Sequence, residues 1–116
     1  MTNSLLRTTF PLIAALALTA GVAAAAGPLT PLGTWMKPNM GAALAGQDFP
    51  TLQKNFEFVA GKPPPSSDYP QWATFAKAGA AAAAKSDVAA VKAACKQCHD
   101  AYKEKYRKEF PTRPFP

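Results

Sequence analysis

The sequence predicts an all-α fold, a bundle of four helices, on three observations. Apolar residues recur at three- and four-residue steps in four separate stretches, which is the spacing of a helix with one buried face. No stretch shows the alternation of apolar and polar residues that a half-buried β-strand requires. Short connections and prolines separate the four stretches, so neighbouring helices are expected to run antiparallel around one core.

The first 26 residues have the pattern of a secretory signal peptide. A short polar region with one basic residue, Arg7, precedes an apolar run over residues 10–20 and small residues up to Ala26. A retained membrane anchor is the less favoured alternative, because the run is much shorter than the roughly 20 residues of a spanning helix and Pro11 interrupts its start. We therefore expect an exported, periplasmic protein without a stable membrane span, with residues 27–116 as its single domain.

The first two helices are predicted on either side of a short connection. Thr30 and Pro31 supply an N-cap followed by proline at the first helical position. Pro38 lies inside the first apolar pattern, so this helix is expected to kink there or to begin later. Asp48 caps the second helix, which runs to about Ala60. The apolar positions of the two helices are Leu32, Trp35, Met36, Met40, Ala43 and Leu44, and then Phe49, Leu52, Phe56 and Val59.

Three consecutive prolines separate the first pair of helices from the second pair. The third helix is expected from about Tyr69 or Pro70, and the alanines of its second half serve either close packing or helix propensity. Asp87 caps the fourth helix and Pro111 ends it. A three-four alternation predicts the buried seam of the fourth helix, which contains Val88, Val91, Cys95, Cys98, Tyr102 and Glu109.

The fourth helix contains the motif Cys95-Lys96-Gln97-Cys98-His99. Two thiols three residues apart lie on one face of a helix, and a histidine directly after the second thiol can bind a metal held beside them. This arrangement is typical of covalent c-type haem attachment, with thioether bonds to both cysteines and the histidine as proximal iron ligand. We therefore expect one haem c per chain on Cys95, Cys98 and His99, with Tyr102 as a further haem-binding candidate.

Two other interpretations of the motif are less favoured. A structural zinc site needs four ligands, and the chain contains only two cysteines and one histidine, so a carboxylate or a second chain would have to complete it. A thioredoxin-like dithiol would need a βαβ setting, of which the sequence shows no sign. A plain structural disulfide is the remaining alternative.

The segment from Cys95 to Lys103, on the last helix of an exported chain, resembles the haem segment of class II cytochromes c, the cytochrome c′ family. Class I cytochromes c carry the motif near the N-terminus and a methionine far downstream, whereas here the methionines of the mature chain precede the motif. The resemblance implies a four-helix bundle with covalently bound haem c near the C-terminus. It also implies a basic side chain beside His99, a position that Lys103 occupies, although an ordinary exposed lysine is the alternative.

The sixth iron ligand decides between two functions. A methionine sulfur would give a low-spin electron carrier, whereas an apolar residue would leave a five-coordinate, high-spin cytochrome c′ that binds nitric oxide or carbon monoxide. The chain has no second histidine to act as an acid-base group, so we do not expect an enzyme.

The choice of methionine follows from the register of antiparallel helices. Counted from the shared end of the bundle, His99 lies about 18 Å along the fourth helix, while Met36 lies about 14 Å and Met40 about 7.5 Å along the first. Met36 is therefore the predicted ligand and Met40 the second choice. The alternative is that both methionines only fill the core.

The charge of the chain bears on its partners. The formal net charge is +6, and an exported protein rarely meets nucleic acid, so we attribute the charge to docking or solubility. Basic residues around the motif predict acidic redox partner proteins. The resemblance also implies a homodimer through the first two helices as one oligomeric state. The basic residues concerned are Lys96, Lys103, Lys105, Arg107, Lys108 and Arg113.

Overall fold

The structure, a computed structural model, describes residues 28–116, and all regular structure within them is helical. The prediction of an all-α protein with four helices is therefore confirmed for this part of the chain. The predicted signal peptide, residues 1–26, lies outside the described residues. Helix α1 spans 31–45 and consists of Pro31–Met36, a π-helical turn Lys37–Gly41, and Ala42–Ala45. Helices α2 and α3 are Phe49–Ala60 and Trp72–Ala84. Helix α4 spans 88–109 and consists of Val88–Cys98, a π-helical turn His99–Lys103, and Glu104–Glu109.

Side-chain caps begin three of the helices where the sequence predicts them. The Thr30 hydroxyl accepts the Gly33 N–H of α1 at 3.0 Å, and the carboxylate of Asp48 accepts the N–H of Thr51 at the start of α2. Asp87 accepts the Ala90 N–H in the same way at 3.0 Å. Each cap satisfies a backbone donor that the first helical turn leaves without a partner.

Helix α3 begins later than predicted, at Trp72 rather than at Tyr69 or Pro70. The Trp72 N–H donates to the Tyr69 carbonyl at 3.2 Å, which makes the preceding residues a turn. The Gln71 N–H donates to the hydroxyl of Tyr102 on α4 at 2.7 Å. Tertiary contacts with α4 therefore fix the start of α3, which local sequence signals do not report.

Pro38 neither ends nor starts α1, because the helix widens into a π-helical turn and continues. Proline has no N–H for the carbonyl four residues earlier, and in this turn the Ala42 N–H donates to the carbonyl of Lys37, five residues before it. Two asparagine side chains stabilise the widened turn. The amide of Asn39 donates to the Trp35 carbonyl, and the amide of Asn55 on α2 donates to the Asn39 carbonyl, both at 2.8 Å.

The closest helix packing joins α2 to α3 and α3 to α4. Gly79 of α3 faces the ring of Phe56 of α2, and a side chain at this position would collide with the ring. The small residues of α3 thus bring two backbones close together, and several of its alanines are buried. The buried alanines are Ala76, Ala80, Ala82 and Ala83.

The buried face of α4 differs from the prediction in its last turns. Glu109, expected in the seam, is exposed and accepts the hydroxyl hydrogen of Tyr69 at 2.9 Å. The buried positions after Cys98 are instead Tyr102 and Tyr106, which are 8% and 3% exposed. The π-helical turn in α4 changes the phase of the helix, so a strict three-four alternation fails beyond it. Within residues 28–116, no helix is both long enough and apolar enough to span a membrane.

Candidate functional site

An apolar cleft of about 380 Å³ lies between α1 and α4. Phe56 of α2 and Trp72 of α3 are buried and also line it, so all four helices contribute to the cleft. Leu29 and Thr30 lie at its edge. The lining residues of the two main walls are Leu32, Gly33, Met36, Lys37, Met40, Gly41 and Leu44 on α1, and Cys95, Cys98, His99, Tyr102, Lys103, Tyr106 and Arg107 on α4.

Every site residue that the sequence singles out lines this one cleft. The motif residues and the two methionines are separated by more than fifty positions in the chain, yet they form opposite walls. The structure thus brings together two thiols, an imidazole and two thioethers around an apolar space. These residues are Cys95, Cys98, His99, Tyr102, Lys103, Met36 and Met40.

The thiols of Cys95 and Cys98 are half-buried and are not joined in a disulfide. Burial raises the pKa of the Cys95 thiol. Burial, followed by the adjacent Cys95, raises the pKa of Cys98 to about 11. Both groups are therefore protonated at neutral pH, whereas a reactive redox dithiol needs a thiolate with a lowered pKa. This electrostatic setting disfavours the thioredoxin-like interpretation.

His99 is the first residue of the π-helical turn in α4, and much of it is exposed at the mouth of the cleft. Partial burial, and then the positive charge of Lys103, lower the pKa of His99, while Asp100 opposes this change. Asp100 is itself paired with Lys96. The imidazole is therefore neutral at pH 7, which is the form that binds a metal through a nitrogen lone pair.

The two methionines differ in their surroundings. Met40 is 8% exposed and belongs to a buried cluster with Ala43, Leu52 and Phe56. Met36 is only partly buried and packs against this cluster and against a second one around Trp72, Tyr102 and Tyr106. Cys95 packs against the first cluster and Cys98 against the second. Met36 and the two cysteines thus border the same two clusters.

The register argument for Met36 depends on α-helical rise, and this assumption is wrong for part of α1. The π-helical turn Lys37–Gly41 lies between Met36 and the end of the helix, so the calculated 14 Å does not apply as it stands. The choice of Met36 over Met40 now depends on packing instead of helical rise.

Tyr102 and Lys103 occupy different parts of the cleft. The Tyr102 ring is buried against Tyr69, at a centroid distance of 5.0 Å, and its hydroxyl accepts the Gln71 N–H. Lys103 is exposed, as an ordinary surface lysine would be. Its side chain also lines the cleft, and its positive charge lowers the pKa of His99.

Sequence reasoning missed four lining residues with evident chemistry. Phe56 was expected in the core but not at the site, and Trp72 and Tyr106 were overlooked. Four-residue steps after Cys98 would have identified Tyr106, because Tyr102 and Tyr106 continue the same face. Arg107 was counted only for its charge, although it lines the cleft.

The donor set of the cleft fits haem c better than zinc. No group of three or more His, Cys, Asp or Glu side chains in residues 28–116 is arranged to hold a metal ion. A structural zinc ion would need more ligands than the two thiols and His99 supply. Haem needs an apolar slot, two thiols, one axial imidazole and cations near its carboxylates, and Lys37, Lys103 and Arg107 are such cations on the cleft wall.

No family model matches the chain, and neither a curated protein nor a solved structure matches it. The functional argument for this chain therefore depends on the cleft and on the motif in α4.

Proposed function

We propose that this chain is a periplasmic c-type cytochrome of the class II type, which carries one covalent haem c and transfers electrons with His99 and Met36 as axial ligands. The observation that carries the proposal is an apolar cleft lined by two thiols and an imidazole from α4 and by two thioethers from α1. Bound haem would supply a one-electron iron(III)/iron(II) couple.

The motif residues would hold the cofactor. Cys95 and Cys98, one helical turn apart on the cleft wall, would bear the two thioether bonds. His99 follows Cys98 directly and is neutral at pH 7, so its imidazole is available as the proximal ligand. A single helix thus carries all three attachment groups, which fixes their spacing before any cofactor arrives.

The opposite wall would supply the second axial ligand. Met36 is partly buried and borders the same two clusters as Cys95 and Cys98, which supports Met36 as the ligand from this wall. Met40 belongs to one cluster only and packs in the core with Leu52 and Phe56. Methionine opposite histidine favours a raised potential and small rearrangement on electron transfer.

The remaining lining residues would set the surroundings of the redox centre. Phe56 and Trp72 are almost fully buried and would make the inner part of the cleft apolar. Low polarity of this kind disfavours the more highly charged state of a metal centre, so it adjusts the potential. Lys103 places a positive charge near His99, which acts in the same direction.

Acid-acetone extraction tests the covalent attachment. The full chain, produced in a host that exports it and matures c-type cytochromes, should keep its red colour in the protein pellet. Cys95→Ala with Cys98→Ala should lose the colour to the solvent, while Gln97→Ala, an exposed change inside the motif, should retain it. Loss of all colour from the wild-type pellet would contradict the proposal.

A further inference from the structure

The π-helical turn of α1 links the two methionines of the cleft. Met36 directly precedes the turn Lys37–Gly41, and Met40 lies within it. Both methionines line the cleft, so the conformation of this turn decides how the two thioethers are arranged on the α1 wall. A π-helical turn spans one residue more than an α-helical turn, so a change to α-helix would rotate the two parts of α1 relative to each other.

Two side-chain amides bind the backbone of this segment. The Asn39 amide donates to the Trp35 carbonyl, and the Asn55 amide of α2 donates to the Asn39 carbonyl, both at 2.8 Å. Pro38 has no N–H to donate to the Thr34 carbonyl, so regular helical hydrogen bonds alone do not hold the segment. Side chains therefore supply part of the hydrogen bonding that keeps the turn in its observed form.

Asn55 makes a polar link between α1 and α2 that has no counterpart elsewhere on α1. Within residues 28–116, no other side-chain hydrogen bond and no ion pair joins α1 to another helix. The closest helix packing also joins the other three helices to one another. The partly buried Asn55 amide therefore fixes the position of α1 on α2 at the level of the π-helical turn.

We propose that Asn55 and Asn39 are positioning residues for the axial ligand Met36, which they hold in place through the π-helical turn. This inference rests on the proposed function. Neither asparagine lines the cleft, so both act through the backbone of the turn and not by contact with the cofactor. Loss of either hydrogen bond would let the turn relax and would lower the fraction of molecules in which the sulfur is bound. An external ligand would then compete better for the iron.

Displacement of the methionine by imidazole tests this role in the ferric holoprotein. Imidazole that replaces the sulfur removes the weak methionine band near the red edge of the visible spectrum, so the imidazole concentration at half-displacement measures how firmly the sulfur is held. Asn55→Leu nearly keeps the shape of the side chain and removes its donor. We expect the half-displacement concentration to fall by about twofold to tenfold, which is the equivalent of one hydrogen bond. Asn39→Leu should lower it in the same way.

Two control variants separate positioning of the ligand from a general loss of stability. Gln53→Leu removes an amide of α2 that bonds to Glu57 on the same helix. Tyr69→Phe removes the hydrogen bond to Glu109, which does not involve α1. Both variants should keep the half-displacement concentration of the wild type. An equal fall in Tyr69→Phe would overturn the inference, because the effect would then follow the stability of the whole bundle.

Haem content and the methionine band distinguish the failure of this inference from the failure of the proposed function. If both are present in the wild type and Asn55→Leu leaves the half-displacement concentration unchanged, the positioning role is wrong while the cytochrome proposal stands. If Asn55→Leu yields no holoprotein, the same measurement on Asn39→Leu decides. Covalent haem without the methionine band in the wild type would contradict methionine ligation and this inference with it. If the wild-type chain holds no haem, both proposals fail.

Discussion

Met36 is the residue whose substitution separates the electron carrier from the gas-binding alternative. It borders both buried clusters, whereas Met40 is packed within one of them. Methionine sulfur on ferric haem gives a weak absorption band near the red edge of the visible spectrum. We expect this band in the wild-type protein and its loss in Met36→Ala.

Met40→Ala serves as the matched variant, because it removes the same side chain one helical turn away. The band should persist there, while the protein should be destabilised by roughly 2–5 kcal/mol, since a buried methionine is truncated. Loss of the band in Met40→Ala alone would reverse the assignment. A high-spin wild-type spectrum that responds to carbon monoxide on reduction would support the five-coordinate alternative.

Gly79 shows how one residue controls the contact between two helices. A Cβ atom at this position would lie 2.6 Å from Cδ1 and Cζ of the Phe56 ring, closer than real contacts allow. The ring is buried and lines the cleft, so its movement would displace packed neighbours or fill part of the cleft. We expect Gly79→Ala to destabilise the holoprotein by about 1–3 kcal/mol, the usual cost of overpacking.

Chemical denaturation of the holoprotein measures this cost. Gly61→Ala is the control, because an added Cβ there meets its nearest atom, a backbone oxygen of Phe58, at an ordinary 3.6 Å. An unchanged midpoint in Gly79→Ala would mean that α2 and α3 separate easily and that their close contact does not hold the cleft in shape.

The helices show which structural features the sequence predicts and which it does not. The caps at Thr30, Asp48 and Asp87 are local interactions, and their positions follow from residue type and spacing. The two π-helical turns do not, because Pro38 removes a hydrogen bond without specifying how the helix continues, and the turn after Cys98 contains no proline at all.

The candidate site likewise has a part that local sequence predicts and a part that only the tertiary structure shows. The residues with distinctive chemistry, Cys95, Cys98 and His99, stand out by their spacing, and Met36 lines the same cleft from α1. Phe56 and Trp72 line the cleft from α2 and α3 because of the way in which the helices pack. That is a tertiary property, and no local pattern encodes it.

For the whole molecule, the cleft predicts that folding depends on the proposed haem. A domain of about 90 residues is near the size at which a protein core alone is marginal. Apolar side chains from all four helices line the cleft, so without haem they would meet water. We expect the double variant Cys95→Ala, Cys98→Ala to lose its sharp thermal transition and its near-ultraviolet circular dichroism while it keeps helical signal.

Gln97→Ala, which retains both thiols, should unfold as cooperatively as the wild type. Sharp, cooperative unfolding of the double variant would contradict this dependence, because the four helices would then pack stably without the cofactor.

The distribution of charge predicts how the proposed cytochrome would approach a redox partner. The chain carries a formal net charge of +6, but several basic residues near the motif are neutralised by carboxylates. Lys96 pairs with Asp100, and Lys105 lies 3.6 Å from both Asp68 and Glu109. Lys37 and Lys103 line the cleft, are exposed and form no ion pair within residues 28–116. These two lysines therefore place unpaired positive charge on the cleft lining.

A positive cleft mouth should steer an acidic electron-transfer protein towards the haem edge. We expect the bimolecular rate with a small acidic flavoprotein to fall as salt rises, because the screening length decreases from about 30 Å at 0.01 M to about 8 Å at 0.15 M. Lys37→Gln should lower the rate at 0.01 M and match the wild type at high salt. Lys54→Gln removes an equal charge from an exposed position of α2 outside the cleft lining, so it should reduce the rate less. Stopped-flow kinetics, corrected for the measured potential of each variant, gives the comparison, and a salt-independent rate would show that the partner approaches without electrostatic steering.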